Sequence, residues 1–307
     1  MLKLLTNLSS TLLLLTAIIF GSLIGGIFPD HGEALSSSVD PLILVLVSLL
    51  FFEISIGKIG EARKHLRFLS LAWMANFIVI PLIGWGIAAL FLSGQPLLFT
   101  GLLIYFIAPC TDWFLGFTRL ARGNVALGSV LLPVNLISQL LLFPVFLGLF
   151  AGKSIGTDIL SIGSTLSHWF LVPFFAAVGL HEVLKRILPS AVFTKILSFA
   201  NALVPIVIAM LVLCIFSGNI NTILGDLSAF LVILAAVFAF FLATYFLGEF
   251  VSRRFQLNYP EQALLVMTTA ARNAPLMLGL TTAIFPDEPL IYAAVIIGML
   301  VEFPHNG

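Results

Sequence analysis

Charge is scarce in this chain. Only 9% of the 307 residues are Asp, Glu, Lys or Arg, against roughly a quarter in an ordinary soluble domain, so water is not the main solvent for most of its surface. The 14 basic and 14 acidic residues cancel, which removes the global field that nucleic acid or another anionic macromolecule would need in a partner. The two cysteines, Cys110 and Cys214, both fall inside apolar runs. They are too few for a disulfide framework and are not spaced as zinc ligands. Histidines are scattered at 31, 65, 168, 181 and 305, and His181-Glu182 lacks a second His four residues on, so the zinc-protease pattern fails. No G-x-x-x-x-G-K loop occurs, which argues against an ATP-driven pump within this chain, and no metal or cofactor motif stands in its place.

What the chain has instead is apolar length. Hydrophobic residues make up 60% of it, and runs such as Thr11 to Phe28 and Pro41 to Ile56 are long enough, at about 1.5 Å per helical residue, to cross most of a hydrocarbon core. The pattern predicts an all-α polytopic membrane protein. Ten transmembrane helices are expected near residues 10–28, 41–57, 68–92, 97–120, 125–150, 160–180, 198–217, 227–251, 262–285 and 289–304. The first run follows Lys3 in the manner of a signal peptide, but Gly25-Gly26-Ile27-Phe28 is a poor cleavage site, so it is read as a span. No soluble domain or long linker interrupts the chain, so residues 1–307 form a single transmembrane domain. Loop charge sets the orientation, because Lys and Arg flanking the spans stay on the cytoplasmic side. With the N-terminus inside, the inside segments hold Lys3, Lys58, Arg63, Lys64, Arg67, Arg119, Arg122, Lys185, Arg186, Lys195, Arg253 and Arg254, and the outside loops hold only Lys153.

Five spans per half is an odd number, so a second copy of the first half sits upside down. The expected inverted repeats are approximately 1–152 and 153–307. Their fourth and ninth spans are both interrupted by a polar, Pro-containing patch: Ala108-Pro109-Cys110-Thr111-Asp112 in one, Ala271-Arg272-Asn273-Ala274-Pro275 in the other. Leu-Gly follows each patch, at 115–116 and 278–279, and the fifth and tenth spans share Phe-Pro, at 143–144 and 303–304. Interrupted helices at corresponding places in two halves point to the binding site of a secondary transporter.

A proline inside a membrane helix removes one N–H and frees a carbonyl, and in lipid such groups must be met by protein, ion or cavity water. The breaks therefore imply a polar centre. Asp112 and Arg272 are each costly there, by about 2.5 to 3.5 kcal/mol at mid-membrane, and crossing helices would let them pair. Two readings stand: the pair only pins the crossing, or it opens when Asp112 is protonated or an anion engages Arg272. Cys110 is either a buried small hydrophobe or a thiol that contacts a soft solute. Asn135 and Gln139 lie one turn apart on one helix face, placed either for interhelical hydrogen bonds or for a cavity. Glu302, beside Pro304, is a candidate cytoplasmic gate.

The run Leu120-Ala121-Arg122-Gly123-Asn124-Val125-Ala126-Leu127 closely resembles the segment joining the fourth and fifth helices of the bile acid:sodium symporter superfamily, which also contains the arsenite permeases. The resemblance implies a ten-helix fold with a panel domain and a core domain, the broken helices crossing in the core, and alternating access driven by Na⁺ or H⁺. Sodium-coupled members carry Ser-Asn after the fourth-helix break and Glu and Gln in the ninth helix; here those positions are Phe114, Leu115, Thr268 and Arg272. Arsenite permeases carry a cysteine at the fourth-helix break, which Cys110 matches, and a Glu that falls here on Pro275. Asp112 is the carboxylate that stands nearest in its place.

An intramembrane enzyme would gather paired carboxylates or a His cluster at one depth, and a sensor would bring a soluble output domain; the sequence has neither. The expected function is secondary transport of a small solute or anion, arsenite-like or organic, with H⁺ as the favoured coupling ion, no cofactor, and lipid as the other partner. The alternative is Na⁺-coupled symport of organic anions. The loop charges generate one test. Reporter fusions at both ends should report a cytoplasmic location, and an extracytoplasmic signal from either end would sink the ten-span model or its orientation.

Overall fold

The structure, a computed structural model, describes residues 2–53, 65–110, 113–150, 170–224 and 227–305. Regular structure among them is helical, apart from one isolated bridge discussed below. Helix α1 (Leu2–Ile27) leads into a short α2 (Pro29–Ser36) and then α3 (Val39–Phe52). Helix α4 (Leu66–Met74) passes through a π-helical turn (Ala75–Val79) into α5 (Ile80–Leu92). The stretch expected as the fourth span divides into α6 (Pro96–Ile107) and α7 (Trp113–Leu120), and α8 (Val125–Phe150) ends the first half. Then come α9 (Val172–Ile187), α10 (Ser190–Leu224) and α11 (Leu227–Phe255). The expected ninth span divides into α12 (Tyr259–Ala270) and α13 (Ala274–Ile284), followed by α14 (Pro289–His305).

Among the described residues four helical stretches are long and apolar enough to cross a membrane: Leu66–Leu92, Val125–Phe150, Ser190–Asn221 and Phe230–Phe255. The pair α2 and α3, bent by 41°, makes a fifth if it is one span. Leu12–Ile27, Pro96–Ile107, Ala274–Ile284 and Pro289–Val301 are shorter apolar helices. Of the span expected near 160–180, residues 160–169 lie outside the described residues. Two differences from the sequence reading have physical causes. Residues 29–36, expected as an outside loop, are helical because Pro29 suits the first helical position and Asp30 faces the positive N-terminal end. Helix α9 runs past residue 180 because Lys185 and Arg186 suit the negative end of its last turn.

Lipid is as apolar as leucine, so helices in a membrane associate by close packing at small residues rather than by hydrophobic drive. Gly21 and Gly25, one turn apart on α1, lie against the backbone of α10 at Leu213 and Ser217, and Gly32 of α2 meets the same Ser217 carbonyl. A Cβ at any of the three would collide with that backbone. Gly101 lets α6 lie against the backbone of α14 at Ile291, and Gly298 of α14 faces the Tyr105 ring. Away from these seams, large apolar side chains point outward at helical spacing: Phe238, Leu242, Tyr245, Phe246 and Phe250 on α11, and Leu141, Val145 and Leu149 on α8. So large a continuous apolar exterior is unsuited to water and is what a bilayer requires. The chain is an integral membrane protein.

Three chain segments meet on one face. Arg67 Nη2 donates to Phe255 O at 2.8 Å, Tyr259 Oη donates to Ala121 O at 3.1 Å, and Asn124 N donates to Pro260 O at 2.9 Å. Arg67, Arg119, Arg122, Arg253 and Arg254 belong to these segments, so the loops that the charge pattern places together do meet in space. The segment 120–127 is the turn that makes this joint. Arg122 takes the left-handed conformation (φ 57°), Gly123 N donates to Thr118 O at 2.7 Å, and Asn124 Oδ1 caps α8 by accepting from Leu127 N at 3.0 Å. A side chain at Gly123 would press on Thr118 and Ala263. Helix α12 opens opposite it with a reciprocal cap between Asn258 and Glu261.

Candidate functional site

Helix α6 stops at Ile107 because the residue before a proline is pushed out of the helical region; Ala108 is extended (φ −103°, ψ 107°). Helix α12 stops at Ala270, where Ala271 is likewise extended (φ −71°, ψ 135°). The two breaks cross and pair with each other. Cys110 N donates to Ala271 O at 3.0 Å and Asn273 N donates to Ala108 O at 2.9 Å, forming an antiparallel bridge between Pro109 and Arg272. Orphan backbone groups in lipid cost several kcal/mol each, and here each break supplies the partners for the other. Helix α13 restarts from Asn273 as its N-cap, with Pro275 in its first turn.

Arg272 is only 1% exposed, the largest fully buried side chain among the described residues. Its Nη1 donates to Phe106 O at 3.0 Å. Nη2 donates to Thr268 O at 3.0 Å and to Thr269 O at 2.6 Å, and Nε lies 3.4 Å from Ala270 O. The guanidinium thus caps the C-terminal ends of α6 and α12 together. Each such end carries roughly half a negative charge, and hydrogen bonds from a charged donor are worth about 1.5 to 3 kcal/mol, so these carbonyls go far to offset the burial of the cation. The Phe240 ring lies 5.5 Å from the guanidinium carbon and adds a cation–π contact. Asp112, the expected partner, and Thr111 lie outside the described residues, as does the side chain of Glu302.

Beside the crossing is a buried amide node. Thr268 Oγ1 accepts from Asn76 Nδ2 at 3.2 Å and from Asn135 Nδ2 at 3.1 Å, and all three residues are fully buried. Among the described residues, Oδ1 of Asn76 and of Asn135 finds no hydrogen-bond partner, and neither amide atom of Gln139, one turn along α8, finds one. An unmet buried polar atom costs about 1–3 kcal/mol, which singles this cluster out as the candidate polar site beside the crossing. Asn76 went unnoticed in the sequence. It sits in the π-helical turn, a feature frequent at functional sites that no residue pattern announces; the available signal was one amide inside an otherwise apolar run. Trp73 Nε1 donates to Ser138 Oγ at 2.8 Å and ties α4 to α8 beside the node.

Of the residues singled out in the sequence, the structure brings Pro109, Cys110, Arg272 and Asn273 together at the crossing, with Pro275 buried in the first turn of α13, and joins Thr268 to Asn135 next to it. Cys110 is buried in an apolar cluster with Phe68, Phe114, Leu127 and Leu264. Cys214 packs on α10, away from the breaks.

A membrane bundle whose two broken helices cross around buried polar groups has the build of a transporter. The chain belongs to the SBF-like CPA transporter family, whose model matches residues 11–302. This bears out the likeness to the bile acid:sodium symporter and arsenite permease superfamily and points to a transporter rather than an enzyme. It is 25% identical over 255 residues to the arsenical-resistance protein Acr3 of Corynebacterium glutamicum, covering 78% of this chain and 68% of that one. It is 24% identical over 243 residues to the uncharacterized protein YbaS of Bacillus subtilis, covering 79% and 77%. It is also 23% identical over 242 residues to the probable chloroplastic sodium/metabolite cotransporter BASS2 of Oryza sativa subsp. japonica, covering 77% of this chain and 54% of that one.

The node generates a stability prediction. Thr268→Val removes the acceptor of two buried amides and should destabilise by about 1–3 kcal/mol per orphaned group. Asn135→Leu removes one of those amides, so the double variant should be less destabilised than the sum of the singles. Thermal unfolding of the purified variants checks this, and strict additivity would show that Thr268 does not bridge the amides.

Proposed function

We propose that the protein is a secondary active transporter that moves a small solute or anion by alternating access at the helix crossing. The observation that carries this reading is the reciprocal backbone pairing of residues 108–110 with 271–273, which places a polar centre at the middle of an apolar bundle. Several contacts support an inverted repeat of approximately 1–152 and 153–307. Helix α1 packs on α10 as α9 packs on α3, α5 on α6 as α11 on α12, and α7 on α8 as α13 on α14. Each pair is the other with the halves exchanged. By contact, α1, α2, α3, α9 and α10 form one group and α5, α6, α11, α12, α13 and α14 another, which suits a panel and a core that shift against each other.

The substrate class follows the relatives' names and the chemistry of the site. Acr3 is named for arsenical resistance, and Cys110 places a thiol at the crossing, so an arsenite-like solute is the first candidate and an organic anion the second. The coupling ion proposed is the proton. Phe114 and Leu115 offer no oxygen ligands, and Arg272 holds a positive charge where the helix ends converge. Asp112, two residues beyond Cys110, supplies a titratable carboxylate: protonating it releases its hold on Arg272 and lets the crossing rearrange. The unmet amide oxygens of Asn76 and Asn135, with the sodium/metabolite name of BASS2, favour sodium as the second reading.

Flux of labelled arsenite and of a labelled organic anion into proteoliposomes separates these readings. Uptake should respond to a pH gradient with Na⁺ absent, and Asp112→Asn should lose that response. Strict Na⁺ dependence with indifference to pH would refute proton coupling.

A further inference from the structure

We infer that Arg272 is a tethered cation: its guanidinium occupies a main-chain carbonyl site that, once vacated, binds a free guanidinium ion or another small monovalent cation. The site is built by two chain segments far apart in sequence. Phe106 O comes from the end of α6, and Thr268 O, Thr269 O and Ala270 O come from the end of α12. All four carbonyls are ones that a terminating helix leaves without an intrahelical donor. They converge because the breaks are bonded to each other, so their partial charges add rather than disperse. The Phe240 ring, 5.5 Å from the guanidinium carbon, closes the site with a π face that also favours a cation. The hydroxyl of Thr268, one of the residues that supply the carbonyls, accepts from the uncharged amides of Asn76 and Asn135. Nothing among these groups depends on the arginine being joined to the chain. What the site requires is a positive charge with donors directed at carbonyls in a space closed to water.

Two consequences follow for the protein as it stands. Wild-type stability does not respond to added guanidinium, because the site is already filled by its own side chain. Shortening that side chain turns a cation from a bystander into a structural ligand, stabilising the folded protein by ordinary mass action. Lysine can retain the charge but not the fork of donors that reaches both helix ends at once, so it is intermediate.

The test is thermal unfolding of the purified full-length protein in detergent, which reads folding and so stands or falls apart from the transport proposal. Arg272→Ala should lower the unfolding midpoint by about 5–10 °C. Guanidinium at about 20 mM, far below denaturing levels, should recover at least half of that loss. Urea at the same concentration has a similar shape and no charge, and should recover none of it. The wild-type midpoint should not move with guanidinium at that concentration. An Arg272→Ala protein that ignores guanidinium, or that urea rescues equally, overturns the inference. If that variant does not accumulate, Arg272→Lys and Arg272→Met decide: retention of folded protein by lysine and loss by methionine, of similar bulk, supports a charge requirement, and equal behaviour of the two overturns it.

Discussion

A backbone that leaves its helix inside a bilayer must find hydrogen-bond partners without water, and in this protein that requirement ties the whole centre together. Helices α6 and α12 both stop in mid-bundle, and each stop frees amide and carbonyl groups that lipid cannot satisfy. The solution is mutual. Residues 108–110 and 271–273 bond to one another, and the Arg272 guanidinium collects carbonyls that remain on both sides. Neither break is tenable without the other, so two segments more than 160 positions apart in sequence are held in one register.

The surroundings serve that register. Gly101 and Gly298 bring α14 against α6, Phe106 stacks on Phe240 with ring centroids 4.2 Å apart, and the turn at 121–124 fastens the end of α7 to the start of α12. The crossing is therefore supported on rigid elements rather than on loops. Next to it the polar accounting is left open, because Asn76, Asn135 and Gln139 keep unmet amide groups in a region sealed from solvent. A purely structural core would close such gaps at about 1–3 kcal/mol each.

Much of this was legible in the residues. Low charge and long apolar runs defined a membrane protein, and Pro109 and Pro275 with their polar neighbours located both breaks to within a few residues. Asn135 and Gln139 were found because one helical turn separates them. Other features were not legible for identifiable reasons. Asn76 matters through a π-helical turn, which depends on packing of α4 and α5 and not on local composition. The charge of Arg272 leads to the expectation that it pairs with Asp112, which lies outside the described residues. Main-chain carbonyls carry no residue identity, so its bonds to Phe106, Thr268 and Thr269 could not be anticipated from side-chain chemistry. Helix α2 was passed over because an eight-residue polar helix resembles a loop in hydropathy.

Membership of the SBF-like CPA transporter family sets this chain among transporters, and Arg272 is the residue on which its two broken helices converge. One guanidinium bridges the ends of both broken helices. Solid-state NMR on the protein in lipid, with ¹⁵N in the arginine side chains and ¹³C at phenylalanine carbonyls, measures this directly. The expected result is a dipolar contact between an Arg272 Nη and the Phe106 carbonyl carbon at roughly 4 Å, removed by Arg272→Lys. The absence of that contact in a folded sample, with Arg272 reaching only Thr268 and Thr269 on its own helix, would contradict it.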